Sequence, residues 1–360
     1  MAPVPKTMRA VVIDGPFDVK VKQVPVPKCE KDTDVVIKVH LAGLCGSDLH
    51  AYRGHEDGSG YVMGHEVIGT IVEAGSAVAN FTPGDIVMAP FSVSCGSCFY
   101  CDQGYTSRCE QNKCLTGGQA EYFRMPLADA TLFNFPPELP EEVALLMTDI
   151  LPTGYSAAMN ARRLLDDPLV DAWTLKDAEA GTVPKKGVAV VIGCGPVGLC
   201  AISSARSLFE TVYATDLHES RLALAEKHGA VALPLAQLRE EILKVTNGRG
   251  ADAVLEVVGH ESAVLDALSL VRPYGAVSSV GVHTRNVTID GNILYDKNVR
   301  MQFGRCSVRT FFPAALNVLK DNLELFKSFV ENKVDLDEAP EYYKLFEQGK
   351  VAKTVFDMSK

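Results

Sequence analysis

The sequence predicts an α/β protein of two domains, an antiparallel β-barrel followed by a doubly wound parallel sheet. Three observations predict it. Up to about residue 150, short apolar runs alternate with glycine and proline turns. From about residue 187, strand-like runs alternate with helix-like runs. The length, 360 residues, fits two domains at roughly 150 residues each.

The elements follow in order. Val35-Val36-Ile37-Lys38-Val39 reads as a strand. Val67–Glu73 and Asp85–Ala89 are two more, set apart by turns at Ala74-Gly75-Ser76 and Pro83-Gly84-Asp85. Short strands with such turns point to a partly closed antiparallel barrel. Val188–Ile192 then reads as a buried strand, followed by a glycine turn and a helix-like run to Phe209. Thr211–Thr215 is the next strand, and a helical pattern over Glu219–His228 ends at Gly229. Ala253–Val258 and Ala276–Val280 are further strands with helical runs before them, as a doubly wound parallel sheet requires. After about residue 305 the pattern turns helical over Pro313–Glu331 and closes in a strand, Thr354–Asp357. There is no internal repeat and no low-complexity segment.

Composition narrows the function classes. Hydrophobic residues make up 47% and charged residues 22%, which excludes a disordered chain. The formal charge is 35 − 45 = −10 with no block of like charges, so neither nucleic acid nor an anionic membrane is the expected partner. The longest apolar stretch, Gly187–Ile202, is broken by glycines and Pro196 and is too short to span a bilayer. The N-terminus lacks a charged segment followed by an apolar one, so a cytoplasmic, reducing location is expected. There, clustered cysteines bind metal more often than they pair.

Gly193-Cys194-Gly195-Pro196-Val197-Gly198 fits G-x-G-x-x-G directly after a strand and at the start of a helix. Such glycines permit a tight turn and the approach of a pyrophosphate to a helix N-terminus. Asp216 ends the next strand, where a carboxylate accepts both ribose hydroxyls and repels a 2′-phosphate. NAD is therefore expected over NADP. The alternative is a structural turn with a helix-capping aspartate. Arg221 either lies over the same ribose or is a solvated helix charge.

Cys95, Cys98, Cys101 and Cys109 put four thiols in one short lobe. Tetrahedral zinc with four thiolates is the expected occupant, a closed structural site with no chemistry of its own. A second constellation is discontinuous: Cys45-Gly46-Ser47-Asp48-Leu49-His50, and Gly64-His65-Glu66. Cysteine, histidine and one further ligand would leave a zinc position open for substrate; buried structural roles are the alternative.

Taken together, these residues resemble the zinc-dependent medium-chain alcohol dehydrogenases over nearly the whole length. The resemblance is carried by Gly43–Asp48, Gly64-His65-Glu66, the Cys95/98/101/109 lobe and the glycine fingerprint with Asp216. It implies a GroES-like catalytic domain over residues 1–150, to which 306–360 return, and a Rossmann NAD-binding domain over 151–305. It places the third catalytic zinc ligand at Asp149, four residues before Thr153-Gly154-Tyr155, where many members have cysteine. Aspartate there resembles the formaldehyde-dehydrogenase-like branch and some bacterial secondary-alcohol enzymes, and a hard oxygen ligand is expected to leave the zinc more electrophilic.

The family mechanism then sets further expectations. Zinc on Cys45, His65 and Asp149 lowers the alcohol pKa and stabilises the alkoxide, while hydride passes to the nicotinamide. Ser47 takes the hydroxyl proton and His50 delivers it to solvent. Glu66 resembles an acid beside the zinc, and Phe91 a substrate-pocket aromatic, with core packing the alternative. Thr153, Val258 and Val282 match positions around the cofactor, with buried strand ends the alternative for the two valines. Lys353 matches a basic residue on the pyrophosphate, with a solvated lysine the alternative, and Arg305 one reaching the cofactor. The resemblance thus implies two zinc ions and NAD per chain, a small alcohol or aldehyde as substrate, and a homodimer or homotetramer. Cys29, Cys114, Cys194, Cys200 and Cys306 have no metal spacing. Leu165–Lys186, with the single tryptophan Trp173, is longer than the family pattern needs. The competing functions are an aldehyde dismutase, an NADPH-type lactone or enal reductase, and a non-catalytic NAD-binding protein. The intact set Cys45, Ser47, His50, His65 and Asp149 speaks against the last.

Overall fold

A computed structural model describes residues 3–55, 59–111, 115–166 and 187–359. Cys114, Trp173 and the 165–186 excursion beyond Asp166 lie outside the described residues. The chain forms two compact units, Met1–Pro152 with Ser307–Lys360, and Thr153–Cys306.

The first unit holds strands β1 (Thr7–Gly15), β2 (Asp18–Pro25), β3 (Val35–Leu44), β4 (Val67–Ala74), β5 (Ile86–Ala89), β6 (Tyr122–Met125) and β7 (Phe133–Asn134). β1 and β2 form a hairpin. The others join a seven-stranded sheet that is completed by two strands of the returning segment, β14 (Asn332–Asp335) and β15 (Thr354–Asp357). The order is β14-β15-β3-β4-β5-β7, and β6 also pairs with β3. β6 runs along Val35–Lys38 and β15 along Leu41–Leu44. Two register shifts against β4 interrupt β3, at Val36/Ile37 and Val39/Leu41. Such bulges bend a strand, as barrel closure needs. The pairs are antiparallel as the sequence predicts, except β14–β15, which are parallel.

Two apolar cores flank this sheet. Val35, Ile37, Val39, Val67, Ile71 and Phe123 fill one. Leu44, Phe356, Val11, Tyr52 and Tyr343 fill the other, so β3 is buried along nearly its whole length. That explains its near-continuous apolar run in place of strict alternation.

The second unit is a six-stranded parallel sheet: β8 (Val188–Ile192), β9 (Thr211–Thr215), β10 (Val231–Ala232), β11 (Ala251–Glu256), β12 (Val271–Ser279) and β13 (Arg300–Phe303). The order is β10-β9-β8-β11-β12-β13, so the winding reverses between β8 and β11. Thr215, Ile192, Glu256, Ser279 and Phe303 pair in one row across the carboxyl edge. Ligands of doubly wound sheets bind at that edge, next to the reversal. Helices Pro196–Ala205, Glu219–Lys227, Leu235–Val245 and Glu261–Leu270 connect the strands.

β8, β9 and β15 occupy the predicted ranges. β11 stops earlier than predicted, at Glu256. Its buried carboxylate accepts the N–H groups of Val258 and Gly259 at 2.8 and 2.7 Å and turns the chain away. The Pro313–Glu331 helix is a correction. The helix starts at Val308, carries Pro313 inside, and ends at Asp321; a short helix, Leu323–Lys327, follows. Glu331 N–H instead donates to Lys353 O at 3.1 Å and leads into β14. No helix among the described residues is long and apolar enough to cross a membrane.

Candidate active site and metal centres

The Cys95–Cys109 lobe brings four sulfurs together. All lie within 4.8 Å of one another, with Cys95 Sγ 3.9 Å from Cys101 Sγ. Backbone N–H groups point at them: Cys98 N donates to Cys95 Sγ at 3.3 Å, and Cys95 N and Gln111 N to Cys109 Sγ at 3.2 and 3.4 Å. Burial works against the Cys95 thiolate, but the N–H groups of Ser97 and Cys98 and neighbouring thiols bring its thiol down to about 6. Burial pushes Cys101 up to about 12. The four cysteines are free of disulfides. A four-sulfur set with no further donor among the described residues fits structural zinc.

The second centre joins Cys45, His65, Glu66 and Asp149, whose ligand atoms also lie within 4.8 Å of one another. Cys45 directly follows β3, His65 and Glu66 precede β4, and Asp149 precedes the helix Ile150–Leu165. Asp149 Oδ2 is 3.4 Å from both Cys45 Sγ and His65 Nε2. Burial, and then the Asp149 charge, push the Cys45 thiol up. Burial would lower His65, but Asp48 and Asp149 outweigh it and hold the imidazole well above its ordinary value. Glu66 is fully buried, and its Oε1 accepts no hydrogen bond among the described residues. Mixed S, N and O donors, with an orphaned buried carboxylate oxygen beside them, fit a zinc ion that keeps an open position.

Lys353 is a correction. It is not solvated, and its amine is already engaged inside the core: it is 1% exposed, and its Nζ donates to Glu66 Oε2 and, at 3.2 Å, to Leu44 O. β15 pairing with β3 brings it there. Burial alone would discharge the amine; the Glu66 charge outweighs it and raises its pKa. Gly43 makes room, since a Cβ there would stand 2.0 Å from Glu66 Oε2.

Ser47 Oγ lies 3.2 Å from His65 Nε2, at the N-terminus of the short helix Asp48–Tyr52 that also carries His50. Both side chains are half-buried. The Phe91 ring stands edge-on to His65, 6.4 Å between centroids, and its N–H donates to Thr148 O, next to Asp149.

In the second unit, Gly193 takes φ +97, and a Cβ on Gly198 would meet Gly193 O at 1.9 Å. A Cβ on Gly195 would meet nothing within 4 Å, so its backbone faces open space at the N-terminus of the helix that begins with Pro196 and Val197. An open, side-chain-free cradle of this kind fits a pyrophosphate. Asp216 accepts from Cys194 N at 2.8 Å and from His218 N at 2.9 Å, with Arg221 Nη1 at 3.6 Å. Val258 and Val282 are 50% and 51% exposed just past β11 and β12, so they are not buried strand ends. Arg305 is exposed past β13, and Thr153 is buried in the helix Ile150–Leu165. Cys194, Cys200 and Cys306 are buried and Cys29 is half-buried.

Sequence reasoning missed Gln119 and Tyr343, both fully buried near His65. Gln119 follows Gly117-Gly118, the only local signal; Tyr343 reads as one apolar position of an amphipathic helix.

Fold and centres together define a zinc-type oxidoreductase. Residues 31–136 match the alcohol dehydrogenase GroES-like domain and residues 196–321 the zinc-binding dehydrogenase family. Zinc-type alcohol dehydrogenase B of Aspergillus flavus is 45% identical over 360 residues, 97% of this chain and 81% of its own. Formaldehyde dismutase of Pseudomonas putida is 29% identical over 97% of both chains. The solved alcohol dehydrogenase of Thermus sp. ATN1 superposes with a TM-score of 0.85 at 33% identity, covering 97% of this chain and 99% of that one. The chain belongs to the zinc-dependent medium-chain alcohol dehydrogenase family.

Proposed function

We propose that the chain is an NAD-dependent dehydrogenase that interconverts a primary alcohol and its aldehyde by hydride transfer. The observation that carries this reading is the Cys45–His65–Asp149 cluster with the Ser47 hydroxyl 3.2 Å from His65. Cys45, His65 and Asp149 would hold a zinc ion, which would supply Lewis-acid polarisation of the substrate oxygen. Ser47 is beside that donor set and takes the hydroxyl proton. His50, three residues on and half-buried, carries the proton toward solvent. Phe91, edge-on to His65, supplies an apolar wall for the carbon chain. Gly193, Gly195, Pro196, Val197 and Gly198 receive the NAD pyrophosphate. Asp216 and Arg221 receive the adenosine ribose, while Val258, Val282 and Arg305 stand at the same sheet edge for the remainder of the cofactor.

The open backbone at Gly195 supports a dinucleotide, and the Asp216 carboxylate supports NAD rather than NADP. β13 lies at the edge of its sheet with Phe303 exposed, which supports a homodimer or homotetramer. A cytoplasmic setting belongs to the same proposal, since reduced thiols are needed to hold zinc. The P. putida relative favours aldehyde dismutation as a second reading. NAD that stays bound through purification points to it.

The test combines metal analysis with variants. Two zinc ions per chain are expected. Cys45→Ser and Asp149→Ala are expected to abolish alcohol oxidation and leave NAD binding within about twofold. One or no zinc, or turnover that survives both variants, overturns the reading.

A further inference from the structure

Behind His65 lies a chain of buried hydrogen bonds that none of the proposed chemistry uses. His65 Nδ1 is 3.3 Å from Asp48 Oδ1. Asp48 Oδ2 accepts from Cys45 N at 3.0 Å and from Gln119 Nε2 at 3.2 Å. Gln119 Nε2 also donates to Gly43 O at 3.0 Å. Gln119 Oε1 accepts from Tyr343 OH at 2.7 Å. Asp48, Gln119 and Tyr343 are 5%, 0% and 0% exposed, so every link is shielded from water.

The chemistry of the partners fixes the direction of every link. Gly43 O and the Asp48 carboxylate only accept, so the Gln119 amide must turn its NH2 toward both. Its carbonyl then faces Tyr343, whose hydroxyl must donate. Asp48 Oδ1 is left to accept from His65 Nδ1–H. In the neutral, metal-binding ring that places the lone pair on Nε2, the nitrogen that faces Cys45 and Asp149. An outer hydrogen bond of this kind sets tautomer and ring orientation for a metal-binding histidine.

We propose that Tyr343 is a positioning residue of the metal centre, acting on His65 through Gln119 and Asp48. The hydroxyl pins the amide in the one orientation that leaves Asp48 fully supplied with donors. Without it, rotation of the amide would set its carbonyl against the Asp48 carboxylate, a repulsion inside a dry core. Tyr343 lies in the returning helix Ala339–Glu347, so the last part of the chain to join this unit orients a ligand near its beginning. The ring itself packs on Tyr52, 5.4 Å between centroids, which separates packing from hydrogen bonding: Tyr343→Phe keeps the first and deletes the second.

The inference rests on the reading of zinc at Cys45, His65 and Asp149, and the experiment separates the two. Zinc release from the purified holoprotein to a chromogenic chelator is followed in wild type, Cys45→Ser and Tyr343→Phe. The release phase missing from Cys45→Ser belongs to this centre. Tyr343→Phe is expected to speed that phase by up to about tenfold, the lower end of the scale for loss of a ligand's direct partner such as Asp48, and to leave the four-cysteine phase unchanged. In an Asp48→Asn background the same substitution is expected to add nothing further. As a second readout, the ligand-field bands of the cobalt-loaded protein are expected to shift in Tyr343→Phe. An unchanged rate with unchanged bands overturns the inference, as does equal acceleration of both phases or an effect that persists undiminished with Asp48→Asn. If Cys45→Ser loses no phase, the metal reading itself is wrong.

Discussion

Glu66 and Lys353 form an ion pair with 0% and 1% of their side chains exposed, beside the Cys45–His65–Asp149 centre. Removing one member of a buried pair strands the other charge without water. Lys353→Met is therefore expected to cost about 3 kcal/mol or more of stability. The double variant Glu66→Gln/Lys353→Met is expected to recover most of that loss, because no charge is left behind. Urea denaturation of the wild type, both single variants and the double variant measures the coupling. Additive losses would falsify this account of the pair.

Asp216 holds the N–H groups of Cys194 and His218 at the end of β9. Asp216→Asn keeps an acceptor there and removes the charge. A hydrogen bond to a charged group contributes about 1.5–3 kcal/mol, so kcat/KM for NAD is expected to fall on the order of 10–100-fold. The value for NADP is expected to rise as repulsion of the 2′-phosphate is lifted. Steady-state kinetics with both cofactors decides, and an unaltered NAD-to-NADP ratio removes the argument for NAD.

His228 is 4% exposed, 2.8 Å from Ser203 Oγ through Nδ1. Burial, and then the Arg206 charge, pull its pKa from 6.5 down to about 4. A depressed pKa contributes stability that is complete above pH 6.5 and is lost as pH falls toward 4. The interval corresponds to about 3 kcal/mol. In His228→Gln this part of the acid sensitivity is expected to vanish, so the stability gap between variant and wild type narrows between pH 6.5 and 4. Denaturant midpoints at several pH values measure it; a gap that stays constant contradicts the assignment.

Much of this architecture is legible in the sequence, for a physical reason. β8 and β9 are short apolar runs bounded by glycine or polar turns, so local pattern alone fixes their ends. The four cysteines carry their own spacing, and the glycine fingerprint its own turn. Lys353 is the contrary case. A lysine in a glycine-flanked tail reads as solvated, and only the pairing of Thr354 with Leu44 carries it into the core. The Gln119–Tyr343 bond joins residues that no local pattern connects. Asp149 lies between these cases: nothing near it signals a ligand, and its assignment came from likeness to a family. The helix from Val308 begins five residues before its expected start, because Pro313 reads as a helix start although it sits in the second turn.

β15 lies between β14 and β3, an interior position in its sheet. A ribosome therefore releases the whole of the second unit, Thr153–Cys306, before the strand that completes the first. Residues of the second unit are contiguous and can reach their final pairing while synthesis continues. The earlier-made β3 must wait, with one stretch of its edge unmatched, for a partner made some three hundred residues later. During that interval Leu41–Leu44 is open backbone, a place where another nascent strand or a chaperone can take hold before the protein's own strand arrives.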